Sequence, residues 1–441
     1  MAQHLGLFHQ FLSSTLPERS ILVTQEGQLL HSRSAKVYDG ASLLTAAQTV
    51  RLYFPFEIGD VVLLNDPYSG GTTLEEYTLI TALPWLDEKI FLAHRFSYGR
   101  ITNCQAQKLD EEGLRIPPTP IAQKGQINSM ILQAMGSHPH CATGLCQVIE
   151  TETKKLLLVL KNWQRTIACK PSWLNKTSLK EYIQETQRLA QDLVNDRASG
   201  ETQVELRLDD GELLKLKLEI SDGHATFDFS GTNNSQGLFL TESAVLSVCH
   251  EVLARFYHWP ACSHGTLGLI RVSTPQGSWL QAKSPSPTAK GFATGIPALM
   301  TAIDLALCHI HANEAEKFRP HNFLRFALKS DEQIRVLTLP GSCQHQEICE
   351  SISVEQLEQN HPVLVERISL RHTTHHEGLM MQVKALKDLT LGWASNLTKH
   401  KMKSPKNSPH HVPPEVLIDG IQVESVGCRD LSSGQTILIK S

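Results

Sequence analysis

A chain of 441 residues is long enough for one large domain or two to three packed ones, and 41% hydrophobic with 20% charged residues is the balance of a globular protein, which excludes wholesale disorder. A formal charge of −4 gives no reason to expect nucleic acid or an anionic membrane as the main partner, because both are met by clustered positive surface. The sequence shows no secretory leader and no 18-residue apolar run, and its ten scattered cysteines lack a C-x-x-C pair, so a cytoplasmic protein with reduced thiols and no membrane span is expected.

From residue 21 to about 95, strand-like runs at 21–24, 61–64 and 90–93 alternate with turns, and a short helix is predicted over 41–53. Two helical stretches follow, the clearer over 178–198, where Leu179, Tyr182, Ile183, Thr186, Leu189, Ala190 and Leu193 repeat at helical spacing. Ser178 stands at its N-cap with Glu181 three residues on. At Gln203 the period changes to two: Val204, Leu206 and Leu208, a turn at Asp209-Asp210-Gly211, then Leu214, Leu216, Leu218 and Ile220. A second turn at Asp222-Gly223 leads to Ala225, Phe227 and Phe229 and completes a three-stranded meander. Helices are predicted over 241–257 and 297–312, a strand and turn over 268–280, and strands and loops over the last hundred residues, with an irregular proline-containing stretch at 404–414. These elements predict an α+β fold of mixed sheets with packed helices: one large multi-lobed unit over 1–441, with coarse lobes at 1–200, 201–330 and 331–441.

The most specific text is Gly59-Asp60-Val61-Val62-Leu63-Leu64-Asn65-Asp66-Pro67-Tyr68-Ser69-Gly70-Gly71-Thr72. It reads as a buried strand running into a turn whose two glycines permit positive φ or close approach of backbone to something in a cleft; the alternative is a tight turn needed only for folding. Further runs follow in order: E-G-L-R-I-P-P at 112–118, F-D-F-S-G-T at 227–232, I-R-V at 270–272 with P-Q-G-S at 275–278, V-E-Q-L-E at 354–358, V-E-R-I-S-L-R at 365–371, and L-I-D-G at 417–420 with L-S-S-G-Q at 431–435. Taken together, these segments resemble the hydantoinase B/oxoprolinase family.

The resemblance implies a hydantoinase B-like fold and a divergent, shortened B-type component of an ATP-dependent cyclic-amide hydrolase, similar to 5-oxoprolinase or N-methylhydantoinase. It implies as partners a small-molecule substrate and a hydantoinase A-type subunit that handles ATP. The chain itself has no G-x-x-x-x-G-K-S/T loop. On this reading Asn65, Asp66, Tyr68 and Arg115 are the candidate catalytic residues, and Gly70, Gly71, Thr72 and Arg271 the candidate substrate contacts, with the two arginines as anion contacts.

Carboxylase-branch members of the family hold a divalent metal with the His and Asp of T-H-L-P-D and a histidine of the next strand. Here these positions read Thr73 and Glu76, and Ser97-Tyr98 stand for the paired histidines, so Glu76 is the one remnant of a metal site. His94, an odd number of residues from Ser97, is expected on the opposite strand face. The stretch that would carry two more histidines reads A-K-V-Y-D-G-A-S-L at 35–43. Other histidines offer little: His375 and His376 adjoin, His138 and His140 with Cys141 lack a matching second pair, and His309 and His311 near Cys308 lack the i, i+4 spacing of a helical pair. The alternative to an active hydrolase component is therefore a catalytically impaired structural or regulatory subunit of such a complex, or of a related ketone carboxylase.

Overall fold

A computed structural model describes residues 2–34, 36–86, 88–98, 106–169, 179–208, 211–235 and 237–311, and then 323–330, 333–340, 363–372, 377–385, 389–395, 398–399, 415–419, 421–422, 426–431 and 435–440. In chain order the first elements are α1 (Ala2–Thr15), β1 (Ser20–Val23), β2 (Leu29–Arg33), α2 (Gly40–Tyr53), β3 (Val61–Leu64), β4 (Glu76–Trp85), β5 (Glu88–Ser97), β6 (Thr119–Gln123) and β7 (Gln126–Ile127). Next come α3 (Ser129–Gly136), α4 (Leu145–Ala168), α5 (Leu179–Asn195), β8 (Gly200–Leu208), β9 (Leu213–Ser221), β10 (His224–Asp228), α6 (Glu242–Tyr257), α7 (His264–Leu267), β11 (Ile270–Ser273) and α8 (Ile296–Ile310). Strands alone follow: β12 (Phe323–Ser330), β13 (Gln333–Pro340), β14 (Val363–His372), β15 (Glu377–Ala385), β16 (Leu389–Ser395), β17 (Thr398–Lys399), β18 (Glu415–Ile418), β19 (Ile421–Gln422), β20 (Val426–Leu431) and β21 (Thr436–Lys440).

The chain divides into two compact units. The first comprises Met1–Tyr98, Thr102–Thr202 and Lys217–Phe292; the second comprises Gly99–Ile101, Gln203–Leu216 and Ala293–Ser441.

In the first unit a seven-stranded sheet runs β2-β1-β5-β4-β3-β6-β7. Its strands are buried on both faces, and the two-residue period sorts their side chains. Leu22, Val61, Leu63, Leu79, Leu83, Ile90 and Leu92 join Phe8 and Leu12 of α1, Leu156, Leu160 and Trp163 of α4, and Tyr182 of α5 in one core. Ile21, Val23, Val62, Leu64, Ile80, Ala82, Phe91 and Ala93 face α2, packing on Leu43, Ala46, Ala47 and Val50. Each fully buried leucine or valine in such layers contributes about 1.5–3 kcal/mol. The same parity continues along β4 and β5, whose pairing sets Glu76 opposite Ser97 and Thr78 opposite Arg95 on the α2 side. His94, of opposite parity, turns to the other face and meets Glu152 of α4 at 3.8 Å and the Glu18 carbonyl at 3.1 Å.

The predicted meander is present. Asp222 and Gly223 both take positive φ (50° and 73°), as a two-residue hairpin turn between β9 and β10 requires. β10 then pairs in parallel with β11 through a crossover that contains α6 and α7. α5 begins at Leu179 as read, while its expected cap, Ser178, lies outside the described residues.

The second unit holds a four-stranded sheet in the order β13-β12-β16-β20 and a five-stranded sheet in the order β14-β15-β21-β18-β19. This agrees with the strands expected in the last hundred residues; 404–414 and His375–His376 lie outside the described residues. Gly291–Ile310 is long and apolar enough, by length and composition, to cross a membrane, yet 78% of its most apolar window is buried within the protein, as in a core helix.

Candidate functional site

The glycine-containing turn is largely internal, with Tyr68 and Ser69 partly exposed. Strand β3 ends at Leu64, and Pro67–Ser69 forms a single 3-10 turn. Asn65 is fully buried; its Nδ2 donates to the carbonyls of Leu74 (2.7 Å) and Leu114 (2.8 Å), and its Oδ1 accepts the Ile116 N–H at 2.6 Å. This one side chain therefore ties the turn to the 112–118 run. Asp66 caps the 3-10 turn, accepting from the Tyr68 N–H at 3.2 Å and the Ser69 hydroxyl at 2.8 Å, and its Oδ2 also accepts Arg115 Nη2 at 3.0 Å. Arg115 keeps 37% of its side chain exposed against 5% for Asp66, so the pair opens on one side. The Tyr68 hydroxyl donates to the Ser286 carbonyl at 2.6 Å, and burial pushes its phenol upward.

The glycines have a backbone explanation. Gly70 has φ +93°, and a Cβ there would overlap the Ala46 backbone of α2; at Gly71 it would overlap the Asn65 backbone. Close approach is thus to the protein's own chain, and the Gly70 carbonyl accepts Arg95 Nη2 at 2.8 Å.

Beside the turn lies a second, denser polar centre. Glu76, 5% exposed, binds Arg19 Nη2 at 2.9 Å, Lys36 Nζ at 3.1 Å, the Tyr38 hydroxyl at 3.1 Å and the Ser97 hydroxyl at 3.2 Å through Oε1, and the Thr72 hydroxyl at 2.6 Å through Oε2. Arg19 also holds Asp39 in a two-pronged bond of 2.9 and 3.0 Å, the geometry that suits guanidinium to carboxylate. Arg95, 1% exposed, reaches Asp39 at 3.1 Å, Ser42 at 2.8 Å and Thr78 at 3.1 Å. Burial opposes charge on Glu76, but Arg19, Lys36, Arg95 and the Thr72 hydroxyl outweigh it and hold the carboxyl well below its ordinary range. Burial and the nearby Glu76 charge push the Tyr38 phenol up to about 12. Among the described residues the centre holds three cations, Arg19, Lys36 and Arg95, against two carboxylates, Asp39 and Glu76.

A third link closes the turn from the far side. Glu112 accepts the N–H groups of Thr288 (2.6 Å) and Ala289 (2.8 Å), and the Thr288 hydroxyl donates to the Thr72 carbonyl at 3.0 Å. Burial raises the Glu112 carboxyl to about 7 against the pull of those N–H groups.

The sequence candidates fall into three sets. Asn65, Asp66, Tyr68, Gly70, Gly71, Thr72 and Arg115 come together, and Thr72 joins them to Glu76. Arg271 lies exposed on β11 in register with Thr226, and no described hydrogen bond or ion pair joins it to either centre. His138 and His140 are exposed in a turn with rings 5.6 Å apart. Sequence reading missed Arg19, Lys36, Tyr38, Asp39 and Arg95. Four polar side chains stand at 35–43, the stretch noted only for its absent histidines, and that polar substitution was the available signal.

The metal implied for the carboxylase branch does not fit here. Thr73 and Ser97 offer neutral hydroxyls in place of imidazole, which binds such ions far better. Glu76 is already neutralised by Arg19 and Lys36, and a dication would meet their charges at contact distance. The positive charge at this position is supplied by side chains.

A buried aspartate at a glycine turn, paired with a half-exposed arginine beside an α2-covered antiparallel sheet, marks the fold and site. The family model described as hydantoinase B/oxoprolinase matches residues 19–336, and the chain belongs to the hydantoinase B/oxoprolinase family. It is 23% identical over 273 residues to an uncharacterised protein of Methanocaldococcus jannaschii (57% of this chain, 47% of that one) and 24% identical over 375 residues to 5-oxoprolinase 1 of Arabidopsis thaliana (73% and 29%). The chain therefore spans less than half the length of these curated relatives. Among solved structures it resembles the ATP-dependent caprolactamase from Pseudomonas jessenii (TM-score 0.76, 16% identity, 96% of this chain and 83% of that one) and a nucleotide-free acetone carboxylase (TM-score 0.72, 11%, 96% and 70%). At these identities the likeness establishes a shared α+β fold.

Proposed function

We propose that this chain is the B-type component of an ATP-dependent cyclic-amide hydrolase, working in the cytoplasm with an ATP-using A-type subunit on a small-molecule lactam or hydantoin. An unstrained cyclic amide is a poor electrophile; phosphorylation of its oxygen by the partner would turn that oxygen into a leaving group, and this chain would then complete hydrolysis. Family membership and the likeness to a caprolactamase and a 5-oxoprolinase support the reading.

The observation that carries it is the meeting of Asp66 and Arg115 at 3.0 Å, two residues from separate runs of the resemblance. Asp66 is oriented by three donors and is the candidate general base; Arg115, partly exposed, is the candidate contact for an anionic activated substrate. Asn65 and Tyr68 hold this pair in place. Gly70, Gly71 and Thr72 remain candidate substrate contacts of the turn, and Arg271 is a separate candidate anion contact. The test is co-purification with an A-type subunit and assay of lactam-dependent ATP hydrolysis. Turnover in the parent complex that is lost in Asp66→Ala supports the reading; full turnover in that variant, or none in the parent, removes it.

A second reading, a non-catalytic subunit, draws on the Glu76 centre, where protein cations fill the role of a metal. It expects stable binding to the A-type partner with no lactam-dependent turnover.

A further inference from the structure

We propose that His250, Glu251 and Cys262 of the first unit form a site for a borderline-soft divalent cation, of which zinc is the natural occupant. A ring nitrogen of His250, a carboxylate oxygen of Glu251 and the Cys262 sulfur lie within 4.8 Å of one another, and no other such group of three occurs among the described residues. Imidazole, thiolate and carboxylate together are a zinc donor set, with ligand atoms roughly 3.5 Å apart around an ion bonded at 2.0–2.3 Å. Closure needs a contraction of about an ångström, within the reach of side-chain rotation.

The surroundings prepare each ligand. His250 lies 3% exposed on α6, with Nε2 2.8 Å from the Thr266 hydroxyl oxygen. That oxygen already accepts the Ser263 N–H at 2.8 Å, and its single proton goes to the Ser263 carbonyl at 2.9 Å. With that proton on the Ser263 carbonyl, the His250 ring donates at Nε2 and keeps its lone pair on Nδ1. A second partner that fixes the tautomer in this way is the usual support for a metal-bound imidazole. Cys262 is held by its neighbour Ser263, which is fully buried, closes a capping box on α7 and bonds the Thr186 hydroxyl at 2.6 Å. Glu251 gives one oxygen to Arg255 at 3.3 Å and turns the other toward the Cys262 sulfur at 3.9 Å.

An independent observation points to the same spot. The Trp259 indole N–H is buried without an acceptor, and its ring lies 5.5 Å from that of His250. Burying such a donor unpaired costs about 1–3 kcal/mol. An oxygen completing the ion's fourth position would supply the acceptor. On binding, the Cys262 thiol releases its proton to solvent and its sulfur donates a pair to the ion; the thiolate offsets one of the ion's charges, and the Glu251 carboxylate is shared between the ion, through Oε2, and Arg255, through Oε1. The ion would staple the middle of α6 to the turn entering α7.

The test uses the full chain, stripped with a chelator, loaded with zinc and passed through gel filtration before elemental analysis. About one zinc per chain is expected, with a rise in melting temperature, and both should vanish in Cys262→Ser and His250→Gln but persist in Cys169→Ser, which changes an exposed thiol. Loading the parent with cobalt should give a thiolate-to-metal absorption band, a readout that stands even if a variant fails to fold. No retained ion, a cobalt spectrum without that band, or undiminished zinc in folded Cys262→Ser would overturn the assignment.

Discussion

The first unit contains two polar centres built side by side, and they contrast in text and in how many charges they gather. The Asp66 turn keeps the family wording and holds one cation, Arg115, whereas the Glu76 centre has lost the family's ligands and gathers five side chains, two of them cations, on one carboxylate; in each centre the carboxylate is buried (5% and 7% exposed) and one cation, Arg115 or Lys36, reaches solvent (37% and 35%). The difference teaches that retained wording reports geometry as much as chemistry. Asn65, Gly70 and Gly71 are consumed by internal contacts, and Asp66 alone in that run pairs with a charge that reaches solvent.

The contrast can be broken first at the denser centre. Glu76→Leu leaves Lys36 without its carboxylate and Arg19 with Asp39 alone, and should cost about 3 kcal/mol, read as a large fall in the denaturation midpoint. A drop under about 1 kcal/mol would show that the centre is not a buried charge network. Next, Gly70→Ala should cost about 2–4 kcal/mol, since it adds a side chain at φ +93° against the α2 backbone. An unchanged melting temperature there would contradict the packing account of the glycines. Asn65→Ala strips the Ile116 N–H and two carbonyls of partners and should cost about 2 kcal/mol. At the Asp66 turn, Arg115→Ala should cost under about 1 kcal/mol because this single pair is partly solvated. It should still depress lactam-dependent turnover, and that separation of stability from activity sharpens the comparison.

Acidity distinguishes the two sides as well. Glu76 is held below its ordinary range, so the stability it contributes is present at neutral pH and is lost as pH falls through its depressed value. Glu112 is raised to about 7, so the folded protein keeps a proton that the unfolded chain releases. Stability should therefore fall as pH rises from the ordinary glutamate range toward about 7 and level off above it. Glu112→Gln should flatten that slope; a slope unchanged in the variant would assign it to another group.

Much of the fold was legible where period alone decides. The strands at 61–64 and 90–93, the meander after residue 200 and the helix ending at Tyr53 follow from alternation and turn residues. Helix α1 escaped notice because Phe8 and Leu12 form too short a stripe, and α4 was legible only as the less clear of two helical stretches because its buried Leu145, Ile149, Leu156, Leu160 and Trp163 are diluted by a charged face. The Asp66–Arg115 pair was readable as two motifs, though their contact is a tertiary fact. The cations around Glu76 were not, because Arg19, Lys36 and Arg95 lie up to 76 positions apart and nothing local marks a long-range ion pair. The group of His250, Glu251 and Cys262 was hidden for the same reason, since its third member arrives after a helix end and a turn.

The most direct measurement is lactam-dependent ATP hydrolysis by the complex with an A-type subunit, compared between the parent chain and Asp66→Ala, with thermal midpoints recorded for both. A general base at this position predicts a loss of about 100-fold or more with a folded variant. Equal turnover in the two complexes would contradict the account.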